Sequence, residues 1–155
     1  MRGVPGLLLT TGLAAAAVLH AADLLDPAIG TWRLNVARSA GNNLPQSEIR
    51  TFATSGDMVV LTFKRVGTDG KEMSVQTRYR LDGKDYPITG SRDYDTLNAR
   101  RIAANTVQST QKLAGKTVGT STRSVSADGK TMTLTGRRTN AQGEVITTTL
   151  IYDRQ

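Results

Sequence analysis

Beyond residue 29 the chain alternates apolar and polar residues with a period of two, which is typical of β-strands that bury one face. No helical period competes with this alternation after residue 22. It is clearest in two neighbouring segments, where the side chains expected on the buried faces are Val59, Leu61 and Phe63, followed by Met73, Val75, Tyr79 and Leu81. The pattern therefore predicts an all-β protein.

Short glycine-containing turns separate the predicted strands. Asp82-Gly83-Lys84 and Asp128-Gly129-Lys130 are examples, and Asp-Gly indicates a hairpin because both residues tolerate positive φ. Sequential hairpins favour an antiparallel up-and-down β-barrel of about eight to ten strands, although alternation alone also fits a β-sandwich. After a strand that begins near Glu48, the expected strands are Met58–Val66, Glu72–Leu81, Thr96–Ile102, Thr106–Leu113, Thr117–Ser126, Thr131–Thr139 and Val145–Asp153.

The only tryptophan lies in the segment 30–35, at the start of the predicted barrel. Gly30 permits a sharp bend, and Trp32 is large enough to fill the closed end of a barrel. In a closed barrel the first and last strands pair antiparallel, which places Arg154 near Trp32 for a cation–π contact. Trp32 and Arg154 are therefore predicted to form the barrel floor, and an arginine frayed into solvent is the alternative.

The Gly-Thr-Trp-Arg-Leu-Asn sequence at 30–35 resembles the Gly-x-Trp opening of the calycins, which are the lipocalins and the fatty-acid-binding proteins. It is more similar still to small secreted lipocalin-like proteins of bacteria, as are the segments 82–90, 119–121 and 126–131. The resemblance implies a lipocalin-like barrel in which a late arginine covers the tryptophan. Residues 37–45 are too poor in helix formers for the two-helix lid of fatty-acid-binding proteins, so we expect a plain loop there.

The first 22 residues have the pattern of a secretory signal peptide. Arg2 precedes an apolar run, residues 7–19, that is too short to span a membrane. Small residues follow at the expected cleavage site, after Ala21 or Ala22. We therefore expect a signal peptide at 1–22, a barrel domain at 23–155, and a periplasmic or secreted protein without a transmembrane span.

Removal of the signal peptide leaves neither histidine nor cysteine, because His20 is the only histidine and the chain has no cysteine. This composition excludes Ser-His-Asp and Cys-His catalysis, histidine- or thiolate-based metal sites, and disulfides. Catalysis by carboxylate, tyrosine, lysine or serine side chains remains as a third hypothesis, but no pair of carboxylates lies on one strand face. We therefore expect no enzyme activity, no metal and no cofactor. Four aspartates between residues 82 and 95 do not follow the EF-hand spacing, and we expect a structural loop there rather than a calcium site.

The chain carries a formal net charge of +7, but its basic residues are scattered and aromatic residues make up only 5% of it. A nucleic-acid interface usually combines a basic patch with interleaved aromatic residues. We therefore expect no nucleic-acid partner.

Two pairs of adjacent arginines, Arg100-Arg101 and Arg137-Arg138, indicate charge inside the barrel. Neighbours on a strand point to opposite faces, so parity with the apolar residues of each strand selects Arg100 and Arg138 as inward-facing. A β-bulge would instead send both members of a pair outward. An inward arginine needs an anionic partner, either an acidic side chain or the acidic group of a ligand.

The strands between residues 106 and 126 carry mostly serine, threonine and glutamine, which favours a partly polar cavity over a fully packed core. Threonine is also a common strand residue, so a packed wall remains an alternative. By the resemblance, Tyr152 matches the tyrosine of the Arg-x-Tyr that holds the carboxylate in fatty-acid-binding proteins, whereas Leu150 replaces the arginine. The candidate cavity-lining residues are Phe63, Tyr79, Arg100, Met132, Leu134, Arg138 and Tyr152.

Together these features predict a monomeric exported barrel that binds a small amphipathic or anionic hydrophobic ligand in its interior. This hypothesis requires an open-ended cavity of several hundred cubic ångströms, on the order of other ligand pockets. The alternative is an envelope protein-interaction or inhibitor module, with a packed barrel and an exposed apolar patch.

Overall fold

In a computed structural model, which describes residues 26–140 and 142–155, the chain forms ten β-strands arranged as one closed barrel. The predicted signal peptide at 1–22 lies outside the described residues. None of the helical segments in the described part of the chain has the length and hydrophobicity needed to cross a bilayer. The strands are β1 (Gly30–Leu34), β2 (Ser47–Ser55), β3 (Met58–Val66), β4 (Glu72–Tyr79), β5 (Asp82–Thr89), β6 (Thr96–Ala103), β7 (Thr106–Leu113), β8 (Lys116–Val125), β9 (Thr131–Thr139) and β10 (Val145–Arg154).

Strands that follow one another in sequence pair antiparallel around the whole barrel, and β1 pairs with β10 to close it. In this closing ladder Trp32 lies opposite Arg154, and Leu34 lies opposite Tyr152. The predicted antiparallel up-and-down barrel is therefore confirmed, at the upper end of the expected strand number. A sandwich of two packed sheets is excluded.

The structure differs from the sequence-based prediction in segment 82–95, where β5 replaces the first part of the expected loop. Ile88 is buried, and the Pro87 carbonyl accepts a hydrogen bond from the Thr77 hydroxyl at 2.8 Å. Charged residues and a proline obscure the alternation in this segment, whereas pairing with β6 holds it as a strand. The prediction of a loop was wrong for residues 82–89, because the backbone pairing that holds them as a strand comes from β6 and not from their own sequence pattern.

The aspartates of this segment make local contacts. Asp82 accepts hydrogen bonds from the Lys84 backbone N–H at 3.0 Å and from the Tyr86 hydroxyl at 2.8 Å. Asp85 lies 2.7 Å from Nζ of Lys112. Among residues 26–140 and 142–155, no three histidine, cysteine, aspartate or glutamate residues are grouped so that they could hold a metal ion.

The closed end of the barrel is built around Trp32, which is fully buried. Its indole N–H donates to the Ala28 carbonyl at 2.7 Å, and the Arg154 guanidinium lies 4.2 Å from the centroid of the ring. The predicted contact between Trp32 and Arg154 is therefore present. The same guanidinium donates hydrogen bonds to three backbone carbonyls, those of Pro27, Ile29 and Gly129.

Gly30 makes this close packing possible. Its φ of +131° lies in a region that residues with a side chain rarely adopt. A Cβ atom at this position would also lie 2.6 Å from Nη1 of Arg154. The glycine is thus required both by its backbone conformation and by the arginine beside it.

The loop between β1 and β2 lies at the opposite, open end. It contains a short 3-10 helix, Val36–Arg38, and its Ala40 pairs with Thr149 through two backbone hydrogen bonds of 2.8 Å. Residues 37–45 are all described and contain no second helix. The expected plain loop is therefore confirmed, and it is fastened to β10 beside the mouth of the barrel.

Candidate ligand cavity

The barrel encloses a cavity of about 290 Å³ that opens between the loops at the end opposite Trp32. Asn42, Asn43 and Pro45 border it from the β1–β2 loop, and Tyr94 borders it from the β5–β6 loop. The volume lies close to the lower limit of known ligand pockets. The apolar part of the lining includes Phe52, Leu61, Phe63, Ile88, Leu97, Val118, Leu134, Ile146 and Leu150.

The wall formed by β7, β8 and β9 is more polar. Ser109, Gln111 and Ser121 line it, and the Gln111 amide donates to the Ser121 hydroxyl at 3.0 Å. Gly136 continues this wall, and a Cβ atom placed there would meet no other atom within 4 Å. The predicted polar half of the interior is present, and unfilled space lies in front of Gly136.

A buried carboxylate, Glu48, organises the charged part of the cavity. Arg50 donates from Nε to Oε1 at 2.8 Å, and Arg65 donates from Nε to Oε2 at 2.6 Å. The Tyr152 hydroxyl completes the arrangement with a hydrogen bond of 2.8 Å to Oε1. The Phe63 ring packs against both guanidinium groups, with centroid distances of 4.6 Å to Arg50 and 5.4 Å to Arg65. We call Glu48, Arg50, Arg65 and Tyr152 the Glu48 cluster.

The Glu48 cluster carries a net charge of +1, from two guanidinium groups and one carboxylate. Burial opposes ionisation of the carboxyl, but the charges of Arg50 and Arg65 outweigh burial and hold the pKa of Glu48 below its ordinary value. Burial also raises the pKa of the Tyr152 phenol, which therefore remains a neutral hydrogen-bond donor. At neutral pH the cluster is consequently cationic.

A second buried ion pair, Asp26–Arg123, lies on the side of the closed end. Arg123 donates from Nη1 to Oδ1 at 2.9 Å and from Nη2 to Oδ2 at 2.5 Å, so the pair is bidentate. Burial raises the pKa of the Asp26 carboxyl, but the hydrogen bond and charge of Arg123 outweigh it, and the net shift is downward. This pair is electrically neutral, in contrast to the Glu48 cluster.

Four of the predicted cavity residues border the cavity: Phe63, Tyr79, Leu134 and Arg138. Phe63 and Tyr79 are buried, whereas Arg138 is exposed at the rim. Met132 and Tyr152 are fully buried but are not part of the cavity wall. Tyr152 reaches the site indirectly, through its hydrogen bond to Glu48.

The inward orientation predicted for Arg100 is wrong. Arg100 is exposed on the outer surface, where it donates to the Gln108 side chain at 3.2 Å. Ile102, the apolar residue that shares the parity of Arg100, is itself 53% exposed, and the pairing of β6 with β7 shifts register beyond Arg101. The buried residues of β6 are Leu97 and Ala99, and they place Arg100 outside.

Three further arginines of the inner face were not among the predicted site residues: Arg50, Arg65 and Arg123. Arg65 shares the parity of Leu61 and Phe63, which were already expected to be buried, so the alternation alone could have identified it. Arg50 and Arg123 share parity with Phe52 and Val125 in the same way. No comparable pattern in the neighbouring sequence indicates which acidic residue Arg65 or Arg123 pairs with, because these partners lie 17 and 97 positions away.

Arg50 supplies beside Tyr152 the guanidinium group that the sequence of β10 lacks at position 150. Leu150 occupies the position where the resemblance to fatty-acid-binding proteins implies an arginine, and Leu150 lines the cavity. Arg50 reaches the same region from β2, with its guanidinium 5.5 Å from the centroid of the Tyr152 ring. A guanidinium therefore lies next to the tyrosine, although it comes from a different strand.

Comparison with known proteins gives a structural likeness and no match by sequence. No protein-family model and no curated protein matches the chain. The zebrafish ileal bile-acid-binding protein, solved in complex with cholic acid, aligns with 84% of this chain and 100% of its own length, at 12% identity and a TM-score of 0.54. The siderocalin Ex-FABP aligns with 84% of this chain and 71% of its own length, at 10% identity and a TM-score of 0.39. With its closed ten-strand topology and the first of these likenesses, the chain has the calycin-type fold of the fatty-acid- and bile-acid-binding proteins.

Proposed function

We propose that this protein binds a small amphipathic molecule with an acidic group inside the barrel. The observation that carries the proposal is the cavity of about 290 Å³, whose wall combines apolar side chains with Arg50 and Arg65 of the cationic Glu48 cluster. Arg65 borders the cavity, and its side chain is 27% exposed, so it can meet a bound acid. The hydrocarbon part of the ligand would pack against residues such as Leu61 and Leu97.

The complex of the bile-acid-binding protein with cholic acid supports the same chemical class here, because cholic acid is an amphipathic acid. The cavity itself argues against the packed barrel that an interaction module would have. Binding also fits the chemistry better than catalysis. Glu48 and Asp26 are both held in ion pairs with lowered pKa values, so neither is protonated at neutral pH to act as a general acid.

The place of action is part of this proposal. The charged start, short apolar run and small residues of segment 1–22 favour export, so the protein would meet its ligand in the periplasm or outside the cell. The pairing of β1 with β10 leaves neither the first nor the last strand with a free outer edge, which is consistent with a monomer.

The binding of decanoate and of decanol, measured by isothermal titration calorimetry on delipidated protein, tests the proposal. We expect decanoate to bind more tightly than decanol, because the carboxylate meets a cationic cluster. Arg65→Ala should weaken decanoate binding about tenfold or more, since a hydrogen bond to a charged group contributes about 1.5–3 kcal/mol. Decanol binding should change little.

Lys64→Ala is the matched control, because Lys64 is the exposed neighbour of Arg65 on the same strand. This substitution also removes one positive charge, but from the outer surface of the barrel. This variant should bind decanoate like the wild type. Gly136→Leu should abolish binding of both compounds by filling the open space in front of residue 136. Equal decanoate affinity in Arg65→Ala and Lys64→Ala would contradict an acid-binding role for the Glu48 cluster.

A further inference from the structure

The charge inside the cavity can be counted residue by residue. Arg50 and Arg65 supply two positive charges and Glu48 supplies one negative charge, while Asp26 and Arg123 cancel one another. Arg137, Arg138 and Asp93 also border the cavity, but all three are exposed to solvent, which screens them. The buried part of the site therefore has an excess of one positive charge.

The geometry shows why Glu48 limits this excess. Its two oxygens each hold one guanidinium, Arg50 through Oε1 and Arg65 through Oε2. Arg65 is bound through Nε, and within the described residues its two terminal nitrogens make no hydrogen bond to another side chain. A ligand acid can thus approach Arg65 from the cavity while Glu48 stays in place.

We propose that the cavity selects ligands with a singly charged acid group, and that Glu48 is the residue that sets this limit. This inference rests on the proposed function. One negative charge on the ligand neutralises the buried excess. A second charge exceeds the buried positive excess, because Glu48 already balances one of the two guanidinium groups. It would also lie close to the carboxylate of Glu48, and like charges repel strongly in a site of low dielectric constant.

Two probes of equal chain length test this selectivity. Decyl sulfate carries one negative charge, and decyl phosphate carries close to two at pH 8, because its second pKa is about 6. We expect wild-type protein to bind decyl sulfate roughly tenfold or more tightly than decyl phosphate, as judged by calorimetry at pH 8. Phosphate binding that equals or exceeds sulfate binding would overturn the inference.

Glu48→Gln keeps the shape of the side chain and raises the buried excess to two positive charges. In this variant the preference should move toward decyl phosphate by roughly tenfold or more. Glu72→Gln is the matched control, because Glu72 is exposed and its loss should leave the ratio unchanged. Circular dichroism confirms that each variant is folded.

The outcomes separate this inference from the function on which it rests. If wild-type protein binds neither probe nor decanoate, the proposed function fails and the selectivity fails with it. If both probes bind and Glu48→Gln leaves their affinity ratio unchanged, only the inference about Glu48 fails. Should Glu48→Gln not fold, a second measurement on wild-type protein replaces it: decyl phosphate carries about one charge at pH 5, and there it should bind nearly as tightly as decyl sulfate. An affinity ratio that is the same at pH 5 and pH 8 would overturn the inference while leaving the proposed function intact.

Discussion

The two ends of the barrel use buried charge differently. Toward the closed end, Asp26 and Arg123 form a balanced bidentate pair, and Arg154 is held by the Trp32 ring and three backbone carbonyls. In the Glu48 cluster, two guanidinium groups share one carboxylate beside unfilled space. The Asp26–Arg123 pair is balanced and Arg154 is occupied by backbone carbonyls, so neither offers a charge to a ligand. The excess positive charge of the Glu48 cluster instead borders the cavity, where it can attract an anion.

The largest expected effect comes from breaking the balanced pair. Arg123→Ala leaves the buried Asp26 carboxylate without its partner, and we expect a loss of about 3–5 kcal/mol in the free energy of unfolding. Arg65→Ala should cost about 1 kcal/mol or less, because Glu48 retains Arg50 and Tyr152. Urea unfolding monitored by circular dichroism measures both values. Similar losses of unfolding free energy in the two variants would contradict this comparison, because the two charge clusters would then contribute equally to stability.

A smaller contrast is expected between two glycines. Gly30→Ala should lower stability by about 1–3 kcal/mol, because residue 30 has a positive φ and would press on Arg154. Gly136→Ala should raise stability by about 0.5–1 kcal/mol, because its φ is not in the positive range and the space in front of it is open. Melting temperatures of the two variants are the measurement. A destabilised Gly136→Ala would mean that the cavity wall is packed more tightly than the structure shows.

The mildest way to test the comparison is a change of pH. The carboxyls of Asp26 and Glu48 both have lowered pKa values in the folded state, so their contribution to stability is complete above the unfolded pKa values of about 4. It is lost as the pH falls through the lower folded values. Urea unfolding at about pH 7, 4 and 3 should therefore show falling stability, and Asp26→Asn should flatten the decline. A wild-type profile that does not fall with acid would contradict the ion pairs.

Most of the fold could be predicted because its determinants are local. The bounds of β3, β7 and β9 coincide with the predicted strands, since alternation and glycine turns lie within a few residues of one another. The strand β5 escaped prediction because it depends on pairing with β6 rather than on its own pattern. In the site, too, the features set by neighbouring residues could be predicted, whereas those set by contacts between distant residues could not.

Only part of the site could be predicted. Parity with buried residues places Phe63 and Leu134 on the inner face, but it failed for Arg100 because its reference, Ile102, lies at an exposed strand end beside a register shift. The contacts that define the charged interior join residues far apart in sequence. Tyr152 bonds Glu48 across 104 positions, and no local pattern encodes such a pairing.

The burial of Trp32 has a practical consequence for spectroscopy. It is the only tryptophan of the chain, it is fully buried beneath a guanidinium, and it is not part of the cavity wall. Its emission should therefore change sharply when the barrel opens and respond little when the cavity fills. Intrinsic fluorescence would thus report unfolding, and measurement of ligand occupancy needs calorimetry or an added dye.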